Sequence, residues 1–132
     1  MAGYSKTPLT QKLGLKPGMS VYFRNMPATV FEELSPLPEK ITVAESLPSD
    51  VDFIHFFAES VADLAKNFPA LKKSLAKSGL LWVSWRKGRR NTDLTENDVR
   101  ALALKSGLVD VKVCAVDETW SGLKLVYRLK DR

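Results

Sequence analysis

The stretch from residue 51 to residue 85 decides the fold and reads VDFIHFFAES VADLAKNFPA LKKSLAKSGL LWVSW. Its first part, Val51 to Ala58, is an apolar run typical of a buried strand. Its last part, Leu80 to Trp85, is a second run of the same kind. Between them, apolar residues recur at helical spacing: Val61, Leu64 and Phe68. A strand, a helix and a strand in this order predict two parallel strands whose connection crosses one face of the sheet.

Three residues predict the limits of the helix in that stretch. Ser60 is expected to open it, since serine is a favoured N-cap. Pro69 is expected to interrupt it and restart it as a second segment, because proline lacks the backbone donor that a helix interior uses. Gly79 is expected to follow its end.

The same alternation continues towards the N-terminus. We expect a short helix that Thr7 caps and Gly14 ends, followed by a strand from Met19 to Arg24. One or two helical turns capped by Thr29 and a short strand from Lys40 to Ala44 come next.

Towards the C-terminus, Thr95 and Asp98 have the spacing of a capping box and predict a helix that Gly107 closes. Two long strands, Leu108 to Val116 and Leu123 to Leu129, are expected to end the chain, the second of them at an edge of the sheet. The chain is thus predicted to be one domain, residues 1–132, with a three-layer α/β sandwich fold. Its sheet is expected to be mostly parallel and doubly wound, with about six strands and one antiparallel strand near the C-terminus.

Composition excludes several classes of protein. The 132 residues are 45% hydrophobic and 27% charged with a net charge of +5, which excludes a disordered, collagen-like or coiled-coil chain. No apolar run approaches the roughly 20 residues that cross a membrane, and the N-terminus lacks a hydrophobic signal core. Cys114 is the single cysteine and favours a cytoplasmic protein. With one histidine, the chain cannot form a four-ligand structural zinc site, and we predict no metal.

The order of elements, with Leu15 to Gly18 before the first strand and a closing strand pair, resembles the class I S-adenosylmethionine-dependent methyltransferase fold. Two stretches resemble a small, uncharacterised bacterial family that is itself methyltransferase-like: Gly3 to Leu9 with Lys12 to Gly14, and Val109 to Lys124. This resemblance implies a methyltransferase-like Rossmann domain and no established activity.

The sequence departs from the methyltransferase pattern after the first strand. That superfamily has a glycine-rich turn there, since glycine lets the backbone approach the cofactor. Here residues 24–29 contain no glycine, and Pro27 also removes a backbone donor. Asn25 and Glu45 are the candidate cofactor-binding residues, Glu45 because an acidic residue is expected about 20 positions after the turn. Only residues 45–50 separate the second and third strands, so the chain is short by one strand–helix unit.

The carboxyl ends of parallel strands line one rim of a sheet, where ligands bind. Polar residues expected at this rim are Arg24, Glu59, Ser84, Arg86, Asp117, Glu118 and Trp120. The rim mixes cations with carboxylates, which suits a small anionic or zwitterionic ligand or a charged protein partner. For the loop from Asp117 to Gly122, a ligand or partner site with an exposed Trp120 and a plain hairpin turn remain equal alternatives.

A basic loop offers a phosphate or nucleic-acid contact through Arg86, Lys87, Arg89 and Arg90, with Trp82 and Trp85 for base stacking. We favour the alternative of a solvated loop with both tryptophans in the core. His55 lies among apolar neighbours and is expected to be a buried structural histidine, and Cys114 a packing residue.

The leading hypothesis is therefore a non-catalytic binding or interaction module on a degenerate methyltransferase-like fold, with no catalytic residue, cofactor or membrane association. Two alternatives stay open. One is a methyltransferase using S-adenosylmethionine, or another small-molecule enzyme, with a remodelled crevice. The other is a nucleic-acid- or phosphate-binding protein that uses Arg86 to Arg90.

Overall fold

The computed structural model describes residues 8–89 and 92–132, which form one mixed six-stranded sheet between two layers of helices. The helices are α1 (Leu9–Leu13), α2 (Ala28–Leu34), α3 (Val61–Ser74) and α4 (Glu96–Lys105). The strands are β1 (Ser20–Arg24), β2 (Thr42–Val43), β3 (Val51–Phe57), β4 (Leu75–Arg86), β5 (Leu108–Ala115) and β6 (Trp120–Tyr127). Short 3₁₀ turns cover Lys87–Arg89 and Leu129–Asp131.

The strand order is β2-β1-β3-β4-β6-β5. Strands β1 to β4 pair in parallel, and β6 is antiparallel to both β4 and β5. The predicted fold class is thus confirmed, while the prediction that the last strand lies at an edge is wrong. Strand β6 is internal and β5 is the edge, because the short turn after β5 returns the chain between β5 and β4.

Each face of the sheet has its own apolar core. On one face, α3 and α4 pack through residues such as Phe68 and Val99. On the other face, α1 and α2 pack through residues such as Leu13 and Val30. Helix α2 connects β1 to β2 and α3 connects β3 to β4, so the connections leave opposite faces and the sheet is doubly wound between β1 and β3.

Helix α3 corrects two predictions. It runs without interruption through Pro69 and ends at Ser74, where β4 begins directly. Gly79 therefore lies inside β4, at the register shift between β3 and β4, and does not follow a helix end. A Cβ on Gly79 would lie 2.9 Å from the carbonyl oxygen of Val51, so this glycine allows the two backbones to approach closely.

The helix starts were predicted with mixed success. Thr95 and Asp98 form the expected capping box of α4, and the Ser60 side chain accepts a hydrogen bond from the backbone of Asp63 at the start of α3. Helix α2 begins one residue before Thr29, with Pro27 as its N-cap. The predicted cap of α1, Thr7, and the motif residues before it lie outside the described residues.

Candidate functional site

The turn after β1 is built around Asn25. Its backbone has φ of +60°, a left-handed conformation that asparagine tolerates better than most residues with a side chain. The Asn25 Nδ2 atom donates to the carbonyl oxygen of Phe57 at 3.5 Å. Met26 packs against the core on the α1–α2 face, and Pro27 leads into α2. Side chains therefore occupy the turn where the methyltransferase pattern has glycines.

The hydrogen bond from Asn25 spans the two strands at which the sheet changes direction. Arg24 pairs with Phe56 at the ends of β1 and β3, and Asn25 and Phe57 follow those two residues. In doubly wound sheets this switch point opens the crevice that binds the ligand. In this protein, the Asn25 side chain bridges the two strands at the switch point.

The connection from β2 to β3 lacks a helix. It consists of residues 44–50, and Asp50 takes a positive φ of 53°. Strand β2 has only two residues, Thr42 and Val43, and is shorter than the predicted strand from Lys40 to Ala44. Glu45, the second cofactor candidate, is exposed in this connection. The wall that a further strand and helix would add beside β2 is missing from this part of the molecule.

Three predicted rim residues, Arg86, Glu59 and Trp120, meet at the ends of β3 and β4, together with Phe57. The Arg86 guanidinium lies 3.2 Å from Glu59 Oε1, and its central carbon lies 4.6 Å from the centre of the Trp120 ring. The Trp120 ring in turn packs edge-to-face on Phe57 at 5.1 Å. Arg86 and Glu59 are partly solvent-exposed, so a charged ligand can reach them.

The turn between β5 and β6, which leads into Trp120, contains two acidic residues with different roles. Asp117 Oδ1 accepts hydrogen bonds from the backbone of Thr119 and Trp120, both at 2.8 Å. The Lys87 ammonium donates to the Asp117 carbonyl oxygen. Glu118 is exposed at the tip of the turn. The Asp117 carboxylate thus shapes the turn, and Glu118 is its outward-facing acidic group.

Three rim predictions are wrong or only partly right. Trp120 is 3% exposed and lies in β6, so it is a wall of the cluster and not an exposed loop residue. Ser84 is fully buried below the rim, because its position in β4 points it at the core. Arg24 turns to the α3 face, where it donates to Asn67 Oδ1 at 2.7 Å and lies over the Tyr22 ring.

His55 and Ser84 form a buried pair, with His55 Nε2 and Ser84 Oγ 2.7 Å apart. The His55 ring stacks on Phe57 at 4.2 Å, and no described residue partners its Nδ1 atom. Burial lowers the pKa of His55 to about 3, so the imidazole is neutral at physiological pH. A serine and histidine sealed from solvent cannot meet a substrate, which indicates a structural role.

The basic loop is only partly available for phosphate. Arg86 forms an exposed ion pair with Glu59 that an anion can displace, whereas Lys87 donates to the carbonyl oxygen of Asp117 in the β5–β6 turn. Arg90 and the side chain of Arg89 lie outside the described residues. Trp82 and Trp85 are buried in the core, as we predicted, and cannot stack on bases. Cys114 is also buried, and burial raises the pKa of its thiol, which does not favour a nucleophile.

Phe57 is the rim residue that sequence reasoning missed. Its ring supports Trp120, and its carbonyl oxygen accepts from Asn25. The predicted strand continues to Ala58, whereas β3 ends at Phe57, which places this residue at the rim.

Residues 10–129 match a family model described as "Protein of unknown function (DUF3052)". The chain belongs to this family. The resemblance to a small methyltransferase-like family is thereby confirmed, and the family has no assigned function. No curated protein matches the DUF3052 chain.

Several methyltransferases are among the solved structures that are similar to this DUF3052 protein. A SAM dependent methyltransferase from Aquifex aeolicus is 17% identical, with a TM-score of 0.59 over 89% of this chain and 86% of that chain. Magnesium protoporphyrin IX methyltransferase from Synechocystis with bound SAH is 11% identical, with a TM-score of 0.65 over 91% and 78%. A TehB-like SAM-dependent methyltransferase from Corynebacterium glutamicum is 10% identical, with a TM-score of 0.56 over 96% and 91%. At these identities the likeness shows the fold alone.

Two absences concern residues 8–89 and 92–132, the part of the chain that the structure describes. Within these residues no helix is long and apolar enough to cross a membrane. Within the same ranges no group of three histidine, cysteine, aspartate or glutamate side chains is arranged to hold a metal ion.

Proposed function

We propose that this DUF3052 protein is a non-catalytic binding domain that keeps the methyltransferase-like fold but does not bind S-adenosylmethionine in the usual crevice. The hydrogen bond from Asn25 to Phe57 carries the proposal, because it bridges the switch point at which the cofactor's amino acid end would lie. The helix-free connection from β2 to β3 supports it, since it removes part of the crevice wall.

The ligand or partner surface is the cluster of Arg86, Glu59 and Trp120 at the carboxyl ends of β3 and β4, with the exposed Glu118 in the turn before Trp120. Arg86 sits on the flat face of Trp120, which fixes the direction of its guanidinium. Glu59 occupies one side of that group, and a ligand carboxylate can replace it at little cost because the ion pair is exposed. This surface suits a molecule that carries both charge signs, and we place the protein in the cytoplasm.

Isothermal titration with S-adenosylmethionine and S-adenosylhomocysteine tests the proposal. We expect no saturable binding of either compound, and micromolar affinity for one of them contradicts the proposal. A crystal soaked with a mixture of zwitterionic metabolites tests the surface. Density beside Arg86 and Trp120 supports it, whereas an adenosyl compound at Asn25 supports the methyltransferase alternative.

A further inference from the structure

An open, polar cavity lies at the opposite end of the sheet from this surface, where the parallel strands begin. It has a volume of about 390 Å³, within the usual range of roughly 300–1,000 Å³ for small-molecule sites. Its wall comes from the end of α3, the start of β4, the turn from α4 to β5 and the end of β6. This end of the molecule plays no part in the surface proposed above.

Four cationic side chains line this cavity, and the carboxylate among its lining residues is Asp131. The cations are Lys72, Lys77, Lys105 and Arg128. Asp131 already pairs with Arg128, at 3.4 Å. The cavity wall therefore carries an excess of positive charge.

Gly107 brings two of these cations together. A Cβ at this glycine would lie 3.1 Å from Nη2 of Arg128 and 3.6 Å from Nζ of Lys72. The two charges thus lie within about 7 Å of each other, so one anionic group can contact both. The Lys77 ammonium lies over the Tyr127 ring at 4.2 Å, which fixes a third charge beside them.

Helix termini explain only part of this cluster. Lys72 and Lys105 lie in the last turns of α3 and α4, where a cation favours the helix dipole. Lys77 lies in β4 and Arg128 follows β6, so neither can act in that way. A ligand with several negative charges would pair with cations from four separate parts of the chain.

We propose that this cavity binds a small phosphate-bearing anion with at least two negative charges. Lysine ammonium and arginine guanidinium groups are the usual partners of phosphate oxygens. The lining residues are mostly polar, and Lys77 covers the Tyr127 ring. The cavity therefore suits an inorganic or sugar diphosphate better than a nucleotide base.

Titration calorimetry with inorganic pyrophosphate at about 0.1 M ionic strength tests the site. The matched variants are Lys72→Gln and Lys73→Gln, because both lysines lie in the last turn of α3 and only Lys72 lines the cavity. We expect Lys72→Gln to weaken binding about tenfold, while Lys73→Gln changes it by less than about twofold. The Gly107 amide resonance of the wild-type protein is expected to shift on binding.

Three outcomes overturn the proposal: equal weakening in the two variants, no saturable binding of pyrophosphate by the wild-type protein, or binding of a single-stranded oligonucleotide without binding of pyrophosphate. Melting temperatures check that each variant folds. If Lys72→Gln does not fold, Lys77→Gln replaces it, since Lys77 is an exposed strand residue, and the same outcomes apply.

Discussion

The Asn25 side chain joins the ends of the paired strands β1 and β3, with its Nδ2 atom 3.5 Å from the carbonyl oxygen of Phe57. This places a side chain at the switch point of a doubly wound sheet, where ligand-binding members of such folds keep an open crevice. The positive φ of Asn25 makes the arrangement possible, because it turns the chain sharply after β1.

Substitution of Asn25 tests the strain in this turn. We expect Asn25→Ala to lower the free energy of unfolding by about 1–2 kcal/mol, because the left-handed backbone conformation is unfavourable for alanine. Asn25→Gly is expected to cost less, since glycine adopts positive φ freely. Urea unfolding of both variants measures the difference, and equal losses contradict the assigned backbone conformation.

Trp120 is expected to be a stability residue as well as a wall of the rim. It is buried against Phe57 and Arg86, so Trp120→Ala is expected to cost about 3–5 kcal/mol of unfolding free energy. The control is Glu118→Ala in the adjacent exposed turn, which is expected to cost less than about 0.5 kcal/mol. Chemical denaturation compares them, and a fully stable Trp120→Ala would show that the ring lies at the surface.

A side chain at Gly79 is expected to lower the stability of the protein. A Cβ there would lie 2.9 Å from the Val51 carbonyl oxygen and 3.0 Å from that of Asp52, and backbone atoms cannot move aside easily. We expect Gly79→Ala to lower the free energy of unfolding by about 1–3 kcal/mol. Thermal and urea unfolding against Ser78→Ala, an exposed neighbour, provide the matched measurement. Equal stability of the two variants contradicts the close approach of β3 and β4.

His55 is expected to make stability depend on pH. The pKa of His55 is about 3 in the folded protein and 6.5 for the unperturbed group. Between these values the unfolded chain binds a proton at His55, whereas the folded chain does not. Stability therefore falls as the pH drops from 6.5 towards 3, by about 1.4 kcal/mol per pH unit from this residue. Urea unfolding of the wild type and His55→Gln across this window isolates the effect, and parallel curves contradict it.

The fold was predictable because its signals are local. The apolar run from Val51, the helical spacing after Ser60 and the capping box at Thr95 each act within a few residues. Pro69 misled the prediction, because the α3 helix continues through it while its apolar residues Phe68 and Leu71 pack on the sheet. Tertiary packing outweighed the local cost of proline.

The site was less predictable because it depends on which way side chains point. Strand ends placed Arg86, Glu59 and Trp120 at the same rim, but the sequence does not show that Ser84 faces the core or that Arg24 turns to α3. The cationic cavity was missed for a different reason. Its lysines come from separate elements, and only the sheet order brings them together.

The most direct test of the closed switch point is an NMR titration of the ¹⁵N-labelled protein with S-adenosylhomocysteine. The bridge between Asn25 and Phe57 predicts that the amide resonances of Asn25, Met26 and Ala28 stay unshifted up to millimolar concentrations of the compound. Saturable shifts of these three resonances at micromolar concentration would contradict it and show an open cofactor crevice.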